Sequence, residues 1–259
     1  MSWASRRRSA YLSGVIIFFI VIIGGPVSYW WISSIPPACA IGKMRPSGVS
    51  SGSCSQLDPK YLQPVARTGS WARSFKVRDG SYTAVAYVEN PNPNAGVERA
   101  HYHIGLYDSG NILLAEREGE MYIMPGSITP VLETGIYTGN RFVVHTYFEI
   151  TDPTLIWKQV ESPAEKIKIN NQSVSTFDTA PRIDAVARNS ALDTIRNLSF
   201  VTVLFDTAGN AFAASGTALP ELQPGASAPI SFSWPGAFST PLGRIDIIPL
   251  LRPVPVPQQ

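Results

Sequence analysis

The chain has 259 residues, of which 15% are charged, and a formal net charge of +2. That balance gives no electrostatic footprint for nucleic acid, and the charged fraction is well below the roughly 25% usual in soluble domains. The length admits one large domain or two small ones behind an anchor, and the 22 Pro and 20 Gly suit a turn-rich β protein.

Residues 1–10 form a basic N-terminus with Arg6, Arg7 and Arg8, and no further charge occurs until Lys43. Residues 11–32, Tyr11 to Ile32, are long and apolar enough for a transmembrane helix, which needs about 20 such residues. Tyr29, Trp30 and Trp31 suit the membrane interface, where a ring is half apolar and half wet. The Arg cluster ahead of the span predicts a cytoplasmic N-terminus, with the bulk of the chain extracytoplasmic in a single-pass arrangement. A cleavable signal peptide is the rival: Ala38-Cys39-Ala40 offers an A-x-A pattern but lies well past the apolar run. Lipidation at Cys39 is a third reading, for which Pro36-Pro37-Ala38 is a poor leader.

Residues 33–70 read as a Pro/Gly/Ser-rich stalk holding both cysteines, Cys39 and Cys54. Outside the cytoplasm the two can pair as a disulfide closing a small loop. Free or intermolecular thiols remain open, as does redox or metal chemistry. Two Cys without a neighbouring His are too few ligands for zinc.

β-sandwich domain 1 is expected over 71–152, a linker over 153–165 and β-sandwich domain 2 over 166–252. In the first domain, strands are expected at Trp71–Val77, Ser81–Glu89, Arg99–Tyr107, Ile112–Arg117, Glu120–Met124, Ile128–Glu133 and Arg141–Ile150. The linker holds Asp152-Pro153 and Ser162-Pro163, both breakers, and Leu155-Ile156-Trp157, expected to pack on one domain as a semi-rigid junction. The second domain is expected to use Lys166–Ile169, Arg182–Arg188, Asn197–Phe205, Ala211–Gly216, Pro229–Trp234 and Arg244–Leu250. Residues 253–259 read as a frayed, Pro-rich, polyproline-type tail.

The two domains are copies. Asn90 and Asn189, Gly110 and Gly209, Asn111 and Asn210, Pro125 and Pro224, and Gly126 and Gly225 are each 99 residues apart. Asp108 and Asp206 are 98 apart, which places one inserted residue in the second turn. In each copy a period of two precedes the turn. Tyr102, Ile104 and Leu106 oppose His101, His103, Gly105 and Tyr107; Phe200, Thr202 and Leu204 oppose Val201, Val203 and Phe205. Asp-Ser-Gly-Asn and Asp-Thr-Ala-Gly-Asn then read as tight hairpin turns. Short strands with frequent turn signals mean a β-sandwich.

Ile104-Gly105-Leu106-Tyr107-Asp108 resembles the signature of the FxLYD-type bacterial domain, with Ile in the first slot; Thr202-Val203-Leu204-Phe205-Asp206 is a looser version. With Tyr87–Pro93, Gly209–Thr217 and Ser231–Pro235, the chain resembles uncharacterised membrane-anchored bacterial proteins carrying a Cys-containing loop and two such domains. The resemblance covers residues 36–252. It implies an all-β protein, an N-terminal transmembrane helix followed by two immunoglobulin-like antiparallel β-sandwich domains at the cell envelope. It brings no catalytic residues. The loops of the resembling proteins are often rich in Asp and Asn, whereas this one, Ala40–Ser53, has no acidic residue to supply calcium ligands.

Candidate chemistry is sparse. His101, His103 and His145 could meet at zinc or copper if a neighbouring strand brought His145 alongside, but alternating polar positions on an exposed sheet give the same pattern. Asp108 and Asp206 read as turn-capping residues, with Gly110 and Gly209 as turn glycines. Trp157 and Trp234-Pro235 offer aromatic faces for a sugar, although a sandwich Trp is more often core. No nucleophile elbow, Walker sequence or HExxH occurs. The reading is therefore a non-enzyme with no catalytic residue, no metal and no cofactor, held to the membrane by its N-terminal helix. Its two sandwiches are expected to bind a protein partner or scaffold the envelope, using exposed sheet edges. The alternatives are a ligand-binding receptor with its site between the domains, or an accessory subunit of a membrane enzyme or transporter using the helix as its contact.

Overall fold

The computed structural model describes residues 57–161 and 163–255. The expected membrane helix over residues 11–32, the pair Cys39 and Cys54, the stalk up to residue 56 and the tail from 256 to 259 lie outside the described residues. Among the described residues no helix is long and apolar enough to cross a membrane.

The protein is all-β and sandwich-like. The first half contributes β1 (Trp71–Arg78), β2 (Ser81–Glu89), β3 (Ala95–Tyr107), β4 (Leu113–Ile123), β5 (Ile128–Tyr137), β6 (His145–Ile150) and β7 (Trp157–Glu161). The second contributes β8 (Ile167–Ser175), β9 (Arg182–Asn189), β10 (Ile195–Asp206), β11 (Ala211–Leu222), β12 (Ser227–Ser233) and β13 (Leu242–Leu250); β14 (Val254–Pro255) follows. The sheets of the first half are β1-β2-β5 and β4-β3, with β6 and β7 both pairing to β3. Those of the second are β8-β9-β12 and β11-β10-β13. The same six-strand topology thus occurs twice, with every pairing antiparallel.

Alternation along the strands builds the cores. Ala100, Tyr102, Ile104 and Leu106 of β3 meet Ala84, Ala86 and Val88 of β2 in the first core. Leu198, Phe200 and Leu204 of β10 meet Ile183, Ala185 and Ala187 of β9 in the second. A third cluster joins the halves: Val85 and Tyr87 of β2 lie with Val201, Val203 and Phe205 of β10 and Ala214 of β11. Trp71 caps it, its ring centroid 4.8 Å from Tyr87 and 6.4 Å from Phe205. Gly216 on β11 permits this approach, because a Cβ there would lie 2.8 Å from Leu132 Cδ2 of β5. Sheets β1-β2-β5 and β11-β10-β13 are therefore inner layers, and the other two are outer layers with one solvent face.

Both halves point the same way. At one end of the stack Leu57 N–H donates to Trp157 O, Ser70 N–H to Tyr87 O and Ile150 N–H to Arg67 O. The link between the halves and the return of the chain to β7 lie at this entry end. At the other, the turn end, Thr138 N–H donates to Gly80 O and Arg141 pairs with Asp108. There Phe75–Val77 of the first half and Phe212–Ala214 of the second line one small cavity with Trp234 and Phe238.

Several elements differ from the sequence expectations. Leu57, expected in the stalk, is 4% exposed in the first core. The expected strands Ile112–Arg117 and Glu120–Met124 are one strand, β4, because Gly119 does not break it: Gly119 pairs with Tyr102, and a Cβ there would collide with the Tyr102 phenol. The linker segment supplies β7, which pairs Trp157 with Val97 of β3. The tail is not wholly frayed, since β14 pairs Val254 with Glu161 and Pro255 with Val160.

Candidate functional site: a cleft between the two halves

The repeated landmarks are framework. Asn90, 1% exposed, closes the end of β2: its Nδ2 donates to Ala95 O at 2.7 Å and Met124 O at 2.8 Å, and its Oδ1 accepts from Asn92 N–H at 3.0 Å. Asn189 repeats this with Asp193 O at 2.8 Å, Leu222 O at 2.9 Å and Ala191 N–H at 2.8 Å. A buried amide that satisfies two carbonyls cannot be removed without orphaning both.

The Asp turns are also alike. Asp108 Oδ1 accepts from Gly110 N–H and Ile112 N–H, both at 2.9 Å. Asp206 Oδ1 accepts from Ala208 N–H at 2.9 Å and Asn210 N–H at 2.8 Å. Those backbone N–H groups are the leading cause holding each carboxyl below the usual carboxylate range, those of Ile112 and Asn210 contributing most. The two turns have the same length, because Asp108 N–H reaches Ile112 O and Asp206 N–H reaches Asn210 O. The expected insertion in the second turn is therefore not there. The third residue after each Asp carries the left-handed backbone: Asn111 at φ 58° and Gly209 at φ 84°. Gly110 and Gly209 match in sequence but hold different positions in the turn.

The extra residue lies in β3. Its register with β4 shifts between Val97 and Ala100, whereas β10 keeps its register with β11 over the corresponding stretch. This bulge spans Glu98 and Arg99, and bulges commonly re-aim side chains beside functional sites. Here they face two adjoining recesses at the entry end. The larger, about 950 Å³, runs between the halves and is lined by Glu98, Tyr122, Glu161, Lys166, Asp193 to Asn197, and Arg252. The smaller, about 610 Å³, is lined by Arg99, His101, Glu120, Asp152 and Lys158 and shares Glu98 and Arg252 with the first.

Most of the ions around these recesses are paired. Glu98 holds Lys158, Lys166 lies 3.6 Å from Glu161, Arg196 3.6 Å from Glu221, and Arg99 3.7 Å from Glu120. His101 is clamped: its Nδ1 lies 2.9 Å from Asp152 Oδ1, its backbone N–H donates to Asp152 Oδ2 at 2.6 Å, and its Nε2 lies 3.4 Å from Glu120. The Asp152 hydrogen bond raises the imidazole above its ordinary value, and the His101 backbone N–H in turn lowers Asp152. Burial pushes the Tyr122 phenol up to about 12, with Arg252 close enough to oppose the shift. Tyr122 is thus a neutral donor at any physiological pH.

The other sequence candidates do not converge. His145 pairs with Tyr107 in register, four positions along β3 from His103, roughly 13 Å away along the strand. His103 instead lies 3.1 Å from Glu116. Among the described residues no group of three His, Cys, Asp or Glu is placed to hold a metal ion. Trp157 and Trp234 are 5% and 8% exposed, and both belong to the cores, so neither offers a ring face to a sugar. Glu98, Tyr122, Asp193 and Arg252 were not singled out from sequence. The change of repeat offset from 99 to 98 between Asn90 and Asp108 is the signal that could have located the bulge.

No family model matches the sequence, and no curated protein matches it. Among solved structures, the chain is similar in part to a red sea bream transglutaminase, at 11% identity and TM-score 0.24, covering 73% of this chain and 30% of that one. It is similar to a Bacteroides uniformis β-glucuronidase at 12% identity and TM-score 0.20, covering 68% and 22%. It is also similar to the tandem CBM22 region of Paenibacillus barcinonensis Xyn10C at 7% identity and TM-score 0.14, covering 78% and 92%. The chain spans well under two thirds of the transglutaminase and the glucuronidase. At these scores the likenesses carry no argument about activity.

Proposed function

We propose that the protein is a single-pass, membrane-anchored, extracytoplasmic protein of the bacterial envelope, with tandem FxLYD-like, immunoglobulin-like sandwich domains that bind a protein partner or scaffold an assembly, without catalysis. The supporting observation is the stack itself. An apolar cluster between the inner sheets makes the two copies one body, and the chain enters at one end of it. Such a body holds its outer sheets and turn end at a fixed distance from the end at which the chain enters.

Among the outer edges, β4 is guarded by exposed Glu116, Glu118 and Glu120, the charges that discourage strand addition. β8 is uncharged from Ile169 to Ser175 and exposed along most of that length, so it is the edge this reading assigns to an added partner strand. The test is crosslinking in intact membranes followed by affinity purification of the full chain, beside the same protein with Tyr11–Ile32 replaced by an unrelated anchor. One stoichiometric protein partner recovered with both, and lost on proline substitution along Ile169–Ser175, is the expected result. Recovery with the native helix only would transfer the interaction to the membrane span, as in an accessory subunit. Recovery that survives the proline substitutions would remove β8 from the account.

A further inference from the structure

The larger cleft holds three acidic groups, Glu98, Glu161 and Asp193, and three basic ones, Lys166, Arg196 and Arg252. A ligand of net charge gains little from so balanced a lining. Yet the balance is not fully satisfied internally. Glu98, Glu161, Lys166 and Arg196 are each in an ion pair. Asp193 and Arg252 line the same cleft, carry opposite charges and make no ion pair among the described residues. Tyr122 lines the cleft with Arg252, and its hydroxyl makes no hydrogen bond to another described residue.

Both unpaired ions stand on fixed backbone. The Asp193 carbonyl accepts from the buried Asn189 amide at 2.8 Å. Arg252 lies between Leu251, 3% exposed, and buried Pro253, and the chain beyond it is tied to β7. Anchored backbone leaves only the two side chains to be ordered on binding. The cleft volume, about 950 Å³, is at the top of the range of roughly 300–1,000 Å³ for small-molecule sites.

We infer that this cleft binds a small zwitterion of the amino-acid or short-peptide class, its carboxylate held by Arg252 and Tyr122 and its ammonium by Asp193. Arg presents a planar fork suited to a carboxylate, and a neutral Tyr hydroxyl adds a donor. The free carboxylate of Asp193 accepts from an ammonium. One free charge of each sign in the same cleft rejects molecules that lack either end. The inference goes beyond the scaffold reading and does not rest on it.

The test is calorimetric titration of the full-length protein in detergent with trialanine, N-acetyl-trialanine and trialanine amide. Saturable binding of trialanine, weakened about tenfold by either block, is expected. Arg252→Gln should bind trialanine and its amide equally, and Asp193→Asn should bind trialanine and its acetylated form equally. The Asn189 contact uses the Asp193 main chain, so the latter variant keeps that framework. No saturable heat at millimolar trialanine, or equal binding of free and blocked peptides by the unaltered protein, would overturn the inference without recourse to either variant.

Discussion

β3 and β10 occupy the same place in the two copies and do opposite things with their second face. On β10 that face is Val201, Val203 and Phe205, buried against β2. On β3 it is His101 and His103, which meet carboxylates near solvent. The strands opposite them in each sandwich are exchanged as well. β2 is buried on both faces, while β9 buries Ile183, Ala185 and Ala187 and turns Arg182 and Arg188 outward. A duplicated sandwich could stack in several ways. Which faces are apolar decides that the inner sheet of one copy is built from β1, β2 and β5, whereas that of the other is built from β10, β11 and β13.

The sharpest way to break this asymmetry is a polar substitution at equivalent positions on that second face. Val201→Asp buries an unpaired carboxylate in the junction and is expected to cost about 3–5 kcal/mol, read by urea unfolding. His103→Gln, on the corresponding face of β3, keeps a polar side chain beside Glu116 and should cost only about 1 kcal/mol, the net worth of one hydrogen bond. Equal losses would mean that the junction is not packed in solution.

The framework, by contrast, should respond alike in both copies. Asn90→Ala and Asn189→Ala each leave two carbonyls without their amide donor. Each is expected to cost about 2–6 kcal/mol, on the basis of 1–3 per orphaned carbonyl. A loss confined to one copy would show that the two junctions are not equivalent. The turns should then separate. Gly209→Ala forces a Cβ into the left-handed region, at about 1–2 kcal/mol. Gly110→Ala makes ordinary contacts with Asp108 Oδ1 at 3.4 Å and Ile112 Cγ1 at 3.9 Å and should be within about 0.5 kcal/mol of neutral.

The smallest effect is electrostatic and confined to the first copy. His101 should titrate above its ordinary 6.5 in an NMR pH series, and Asp152→Asn should bring it down. The sign follows from the direction of each shift. The raised imidazole contributes fully below the unfolded value of 6.5 and loses its contribution as pH rises through the folded value. The lowered Asp152 carboxyl contributes above its unfolded value of 3.8 and loses its contribution as pH falls through the folded one. An unchanged His101 titration in Asp152→Asn would show that the pair is not formed.

Much of this was legible in residues. The alternation in Ala100–Tyr107 and Ser199–Phe205 located both central strands and separated their faces. What alternation alone did not reveal is that Val201, Val203 and Phe205 need a cover of their own; a strand apolar on both faces signals a buried sheet. Gly119 misled because a strand glycine can mark either a break or a partner ring pressed on the backbone, and Tyr102 is 17 residues away in sequence. The paired glycines misled for a related reason: a shared letter does not fix which residue carries positive φ. Asp193 and Arg252 left no local pattern. They line one cleft only because the chain after β13 pairs with β7 as β14.

The central claim is that the two copies form one body through β2 and β10. Hydrogen exchange of the full-length chain, with and without Val201→Asp, tests it most directly. β2 and β10 are expected to be the slowest-exchanging strands, and the substitution is expected to accelerate both, although β2 lies in the other half. Acceleration of β10 with β2 unchanged would contradict it, leaving two sandwiches that fold side by side without support from one another.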